Sequence, residues 1–156
     1  METAATKALE GKDVHFDVVR TEKPNSVQES AALQGIEVGQ LLRTIVVRRG
    51  ADDYVFVLVP GGRRIDWPKL RKHLGLSRLS LPDKEEAREV TGYERGAITP
   101  FGSLRPWPVI ADETVARLDR LAIGGGARGV NLHMGSSDLI ATLEADVADV
   151  TEPEPS

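Results

Sequence analysis

The sequence predicts an α/β (α+β) domain built on a mixed, mainly antiparallel sheet. Two runs rich in β-branched and aliphatic residues, Leu41 to Arg48 and Tyr54 to Val59, flank Gly50-Ala51-Asp52-Asp53, the pattern of a hairpin. Further short strand-like runs mix with short helical ones, without the regular strand-helix-strand alternation of a parallel fold. The 156 residues, 40% hydrophobic and 28% charged, suit one domain with its own core, expected over residues 1–150.

Thr3 to Glu10 reads as a helix, and Val14 to Arg20 alternates like a half-buried strand. Ser26 and Glu29 have capping-box spacing, so a helix is expected from Val27 until Gly35 stops it, with a short helical turn before Gln40. After the hairpin, Pro60-Gly61-Gly62 breaks the second strand. Asp66 then caps a helix with Pro68 in its first turn and Leu70 and Leu74 on one face, closed by Gly75. Ser77 to Leu81 reads as a strand and Pro82 to Val90 as an acidic helix. Trp107 to Ala111, Leu121 to Ile123 and Val130 to Met134 read as strands, Ser136 to Leu143 as a helix and Ala145 to Val150 as a closing strand. Thr151 to Ser156 reads as a disordered acidic tail with nothing to bury.

Cysteine is absent, which excludes disulfides, thiolate metal sites and cysteine nucleophiles and makes the cytoplasm the default location. No long apolar stretch suggests a signal peptide or membrane span. The three histidines, His15, His73 and His133, have no partner at ligand spacing, so no metal is expected. There is no Gly-x-Ser-x-Gly elbow. Gly124-Gly125-Gly126-Ala127-Arg128-Gly129 fits a dinucleotide-binding pattern, but the sequence after it alternates as a strand instead of opening a helix, so a glycine-rich hairpin is expected.

The net charge of −4 argues against indiscriminate nucleic-acid binding, yet Arg43 to Arg78 is a basic segment and Glu144 to Glu154 an acidic one. Arg63, Arg64 and Lys69 are its candidate RNA contacts; a solvated charged surface is the alternative. Trp67, Trp107 and Phe101 read as core or rim residues, with base stacking as the alternative. Asp112 either caps the turn after its strand or points into a pocket. The segment Thr91 to Gly102 stands apart. Gly96 and Pro100 make a stiff turn whose backbone N–H groups can cradle an ester carbonyl or a ribose; taken alone such a turn reads as an ordinary surface connection between a helix and a strand, and the rest of the chain places the site there.

Taken together, Gln40 to Val47, Ile65-Asp66 with Lys69-Leu70, Thr91-Gly92-Tyr93, Gly96 to Gly102, Pro108 to Asp112, and Gly125 to Gly129 with Asp138-Leu139 resemble the YbaK/EbsC family. Its members are free-standing relatives of the editing domain inserted in bacterial prolyl-tRNA synthetases. The resemblance implies a sheet curled into a barrel-like core with surrounding helices. It also implies hydrolysis of the ester between a wrong amino acid and the tRNA 3′-terminal adenosine, without cofactor or metal. Its implied catalytic set is Arg43 with Gly96, Ala97, Ile98 and Thr99, and its substrate-binding set Thr44, Tyr93, Pro100, Phe101, Asp112, Gly125 and Gly126.

The partner implied is the acceptor end of a mischarged tRNA, with an aminoacyl-tRNA synthetase as a candidate second partner. Arg43 stands where the family has lysine. Arginine keeps its charge and offers a planar fork, so it can anchor a phosphate or stabilise an oxyanion but cannot act as a general base. Ala97 in place of a glycine would trim the pocket toward small groups such as alanyl, cysteinyl or seryl. A non-catalytic aminoacyl-tRNA- or nucleotide-binding protein of the same fold, or a scaffold with a vestigial pocket, are the alternatives.

Overall fold

Strand alternation through the central hairpin decides the architecture. The computed structural model describes residues 2–155. In chain order the elements are α1 (Ala4–Glu10), β1 (Phe16–Arg20), α2 (Val27–Gln34), a 3-10 turn (Val38–Gln40), β2 (Leu42–Gly50), β3 (Asp53–Pro60) and β4 (Arg63–Ile65). They continue with α3 (Trp67–Leu74), α4 (Lys84–Thr91), β5 (Val109–Asp112), α5 (Glu113–Ala116), β6 (Arg120–Gly124), β7 (Val130–Gly135), α6 (Ser136–Leu143), β8 (Asp146–Ala148) and β9 (Thr151–Pro153).

Among the described residues three sheets result, with orders β1-β7-β6, β2-β3-β5-β8 and β4-β9. β1 with β7, β6 with β7, β2 with β3 and β4 with β9 are antiparallel; β5 runs parallel to both β3 and β8. This is the mixed, mainly antiparallel arrangement the sequence implied, with helices around it. Leu41 and Ala122 form a parallel bridge that brings the edge of the β2 sheet to the edge of the β6 sheet.

β3 is buried on both sides, which explains its unbroken apolar run. Tyr54, Phe56 and Leu58 face one cluster with Leu42, Val46, Leu132 and Met134. Val55, Val57 and Val59 face a second with Leu70, Ile110 and Val150. Each such fully buried side chain contributes about 1.5–3 kcal/mol of transfer free energy.

Local signals set most boundaries. The Ser26 hydroxyl accepts the Glu29 N–H and the Asp66 carboxylate accepts the Lys69 N–H, fixing the starts of α2 and α3. The glycine run forms the expected turn: Gly124 pairs with Asn131 across β6 and β7, and Gly125 N–H donates to Val130 O at 2.8 Å.

Two expectations are corrected. Ser77 to Leu81 is not a strand; only Ser80 bridges to Arg48, because the edge of β2 offers a partner for a single residue pair there. The segment expected to be a tail has something to bury: Thr151 is 0% exposed, and Thr151–Pro153 pair with Arg63–Ile65. Ser156, the last residue of that expected tail, lies outside the described residues. Among the described residues, no helix is long and apolar enough to cross a membrane.

Candidate active site

Where β2 runs past the β6–β7 hairpin, the structure leaves a groove of about 670 Å³. β2 supplies Leu42, Arg43, Thr44 and Val46, and the loop after α4 supplies Arg95, Gly96 and Ile98. The starts of α2 and α4 complete the wall, through Ser26 and Val27 and through Pro82 and Lys84. Of the residues expected at a site, Arg43, Thr44, Gly96 and Ile98 therefore do meet, from positions about fifty residues apart.

Gly96 has φ +92°, a conformation that side chains other than glycine adopt only with strain, and this turns the loop toward β2. Ala97 N–H donates to Glu94 O at 2.9 Å and closes the turn, so it is not available to a ligand. Ala97, Thr99, Pro100 and Phe101 lie buried behind the groove surface. The Tyr93 hydroxyl donates to Phe101 O at 2.6 Å, and burial pushes its pKa up to about 12. Tyr93 packs over Gly126, and Thr3 donates through its hydroxyl to Gly125 O at 2.6 Å. Tyr93, Gly125 and Gly126 thus support the loop from behind, and Ala97 does not trim the groove.

Asp112 sits elsewhere. It is 0% exposed and caps α5, accepting from Thr114 N–H at 3.1 Å, the Thr114 hydroxyl at 2.5 Å and Val150 N–H at 3.0 Å. Of the two roles the sequence allowed, capping is the one seen.

Alternation along β2 puts Thr44 on the side of Leu42 and Val46, and Arg43 on the side of Ile45 and Val47. The Arg43 side chain borders the groove at the strand edge, while its Nη2 donates to Arg63 O and to Glu154 Oε1, the latter at 3.3 Å. Its Nε, like the Thr44 hydroxyl, is buried without a protein partner among the described residues. Polar atoms left this way cost about 1–3 kcal/mol each, so both are natural contacts for a ligand.

Arg63, Arg64 and Lys69 do not line this groove. Arg63 Nε donates to the Thr151 hydroxyl at 2.7 Å, Arg64 pairs with Glu152 at 3.1 Å, and Lys69 pairs with Asp149 at 3.0 Å. The cations that do line it are Arg43, Lys84 and Arg95, and no carboxylate does so among the described residues. Two helix starts add their partial positive charge. Lys84 and Arg95 escaped sequence reasoning because nothing local sets them apart from other surface cations; Arg95 had only its place beside Gly96 to single it out.

Comparison with known proteins places this geometry in context. A family model of the aminoacyl-tRNA editing domain matches residues 21–142. The chain is 23% identical over 139 residues to an Enterococcus faecalis protein provisionally named Cys-tRNA(Pro)/Cys-tRNA(Cys) deacylase EbsC, spanning 89% of this chain and 85% of that one. It is 32% identical over 139 residues to a proline–tRNA ligase of Xanthomonas axonopodis pv. citri, matching 87% of this chain but only 24% of the ligase. A crystal structure described provisionally as a trans-editing enzyme for prolyl tRNA synthetase superposes with a TM-score of 0.89 at 29% identity, covering 97% of this chain and 99% of the other.

Proposed function

The chain belongs to the aminoacyl-tRNA editing domain family, and from that premise we propose that it is a trans-editing deacylase for mischarged tRNA carrying a small amino acid, alanyl, cysteinyl or seryl, a choice supported by the cysteinyl group in the name of the Enterococcus faecalis relative and no longer by Ala97. One observation carries the reading. In a chain of net charge −4, the groove gathers Arg43, Lys84 and Arg95 with no carboxylate among its described lining residues, which suits a polyanionic acceptor end. The synthetase as candidate partner rests on the relatives in which the matching segment is part of a proline–tRNA ligase.

In the reaction, water adds to the ester carbonyl, the tetrahedral intermediate collapses, and the bond from the carbonyl carbon to the ribose oxygen breaks. The ribose oxygen takes a proton, releasing amino acid and tRNA. The groove offers no carboxylate or histidine among the described residues to serve as base, so acceleration rests on position and charge. Arg43 anchors the terminal phosphate or stabilises the oxyanion. The Gly96 and Ile98 backbone faces the carbonyl, and the unpartnered Thr44 hydroxyl orients the attacking water or the neighbouring ribose hydroxyl. Leu42, Val46 and Ile98 give the aminoacyl group an apolar wall.

A second reading, binding without hydrolysis, is favoured by the engagement of the Arg43 guanidinium with Arg63 O and Glu154. Single-turnover hydrolysis of alanyl, cysteinyl and seryl esters of tRNA separates the two. Arg43→Lys retains most activity, and Arg43→Ala loses a charge-assisted contact of about 1.5–3 kcal/mol, or about one to two decades in rate. A native protein inactive on all three esters leaves only the binding reading.

A further inference from the structure

On the other side of Arg43 lies a smaller groove of about 380 Å³, bordered by Ile45, Arg64, Trp67, Pro68 and Leu81. Arg43, Ile45 and Leu81 line both grooves, so a chain leaving the first enters the second by passing the Arg43 guanidinium. We propose that this second groove is a nucleotide subsite, in which the base preceding the terminal adenosine stacks on Trp67 while Arg43 and Arg64 take the adjoining phosphate. The proposal rests on the editing reading and extends it by naming how the substrate strand is held.

The chemistry of the lining points to a nucleotide. Trp67, at the first position of α3, is half-buried, packs against the Val57 and Leu70 cluster and still lines the groove. Pro68 follows it directly and fixes the backbone of that turn. An indole with an aliphatic surround and two guanidinium groups is the set that holds an unstacked base and its phosphate, because every base has a π-face and arginine matches phosphate with its planar fork.

The two arginines already hold anionic oxygens. Arg64 Nη2 lies 3.1 Å from Glu152 Oε1, and Arg43 Nη2 lies 3.3 Å from Glu154 Oε1. Glu152 itself lines the groove. Ion pairs this exposed are individually weak, so a phosphate that engages both arginines together displaces the carboxylates at small cost. Those carboxylates therefore act as competitors of the strand, and their removal tightens its binding.

The test is the affinity of a 5′-fluorescein-labelled RNA trinucleotide CCA, and of the same trinucleotide abasic at its second position, measured by fluorescence anisotropy. Trp67→Leu keeps apolar packing without the ring, and Trp67→Phe keeps a ring. Native protein binds CCA about tenfold more tightly than the abasic probe; Trp67→Leu erases that difference, and Trp67→Phe restores most of it. Glu152→Gln with Glu154→Gln tightens CCA several-fold. If a folded Trp67→Leu still distinguishes the two probes as the native protein does, or Trp67→Phe is as impaired as Trp67→Leu, the subsite is refuted. Ester hydrolysis measured in parallel separates the two ideas. Hydrolysis with CCA binding indifferent to Trp67 sinks the subsite alone, whereas Trp67-dependent binding without hydrolysis of any ester sinks the editing reading and leaves an RNA site.

Discussion

Replacing Asp112 by asparagine should damage the fold and leave the groove alone. Its carboxylate is fully enclosed, with Val150 N–H on Oδ1, the Thr114 N–H and hydroxyl on Oδ2, and Arg63 Nε 3.9 Å away. Burial by itself disfavours its charge, but the hydrogen bonds from Thr114, Val150 and Thr151 outweigh that and hold its pKa below the ordinary carboxylate value. Asparagine keeps one acceptor and turns the other into a donor. If its oxygen stays on Thr114, its NH₂ group faces Val150 N–H, leaving a buried donor unpaired and one charge-assisted bond lost. The sum is about 2–4 kcal/mol, and about 3 kcal/mol corresponds to roughly 6–12 °C in Tm for a chain of this size. Because the folded carboxyl gives up its proton more readily than the unfolded one, its contribution is complete above the unfolded pKa near ~4 and is lost as pH falls through the lower folded value. Thermal melts of native protein and Asp112→Asn at pH 7 and at progressively acid pH should show a wide gap that narrows on acidification. Equal melting temperatures at pH 7 would falsify the structural role, and a stable variant with impaired substrate affinity would move Asp112 to the substrate.

Other outcomes follow from the same geometry. With Arg43, Lys84 and Arg95 holding the two internucleotide phosphates of CCA, the slope of log affinity against log salt is about −1.4, or roughly sevenfold weaker binding between about 50 and 200 mM; a flat dependence removes the phosphate contacts. Thr44→Val deletes a buried hydroxyl without a protein partner, so its melting temperature holds or rises slightly while single-turnover hydrolysis falls; unchanged hydrolysis takes Thr44 out of the mechanism. A Cβ at Gly61 would overlap the Val38 carbonyl oxygen in the 3-10 turn, so Gly61→Ala lowers stability by about 2 kcal/mol or more in urea denaturation, whereas a neutral result contradicts that close approach.

What the sequence disclosed and what it hid differ by range. The β2–β3 hairpin, the starts of α2 and α3 and the β6–β7 turn were legible because each signal lies within a few residues of what it specifies. β4 and β9 were not, since three residues carry no period and each strand exists only because the other lies 88 residues away, as Arg64 and Glu152 do. The same distance hid the partners of the basic segment. Nothing local to Arg63, Arg64 and Lys69 announces Thr151, Glu152 and Asp149, which fold back onto them. For the site, the Gly96 turn and Arg43 were visible as local irregularities and as family resemblance. The groove's other cations come from separate elements, and their convergence is a property of the tertiary fold alone.

The Leu41–Ala122 bridge sets how the groove can move. Among the described residues it is the one backbone pairing between the β2 and β6 sheets, so the seam beside the groove is held by side chains, while β2 and β3 share a ladder from Leu42 to Arg48. Leu42 and Val46 on one side and Leu132 and Met134 on the other close that seam by packing alone, whereas shearing the hairpin would also break its ladder. The seam therefore has fewer backbone bonds to open than the hairpin does. Native-state hydrogen exchange should find the amides around Leu41 and Ala122 opening well before those of Val55 and Val57, and RNA bound across the seam should slow them selectively.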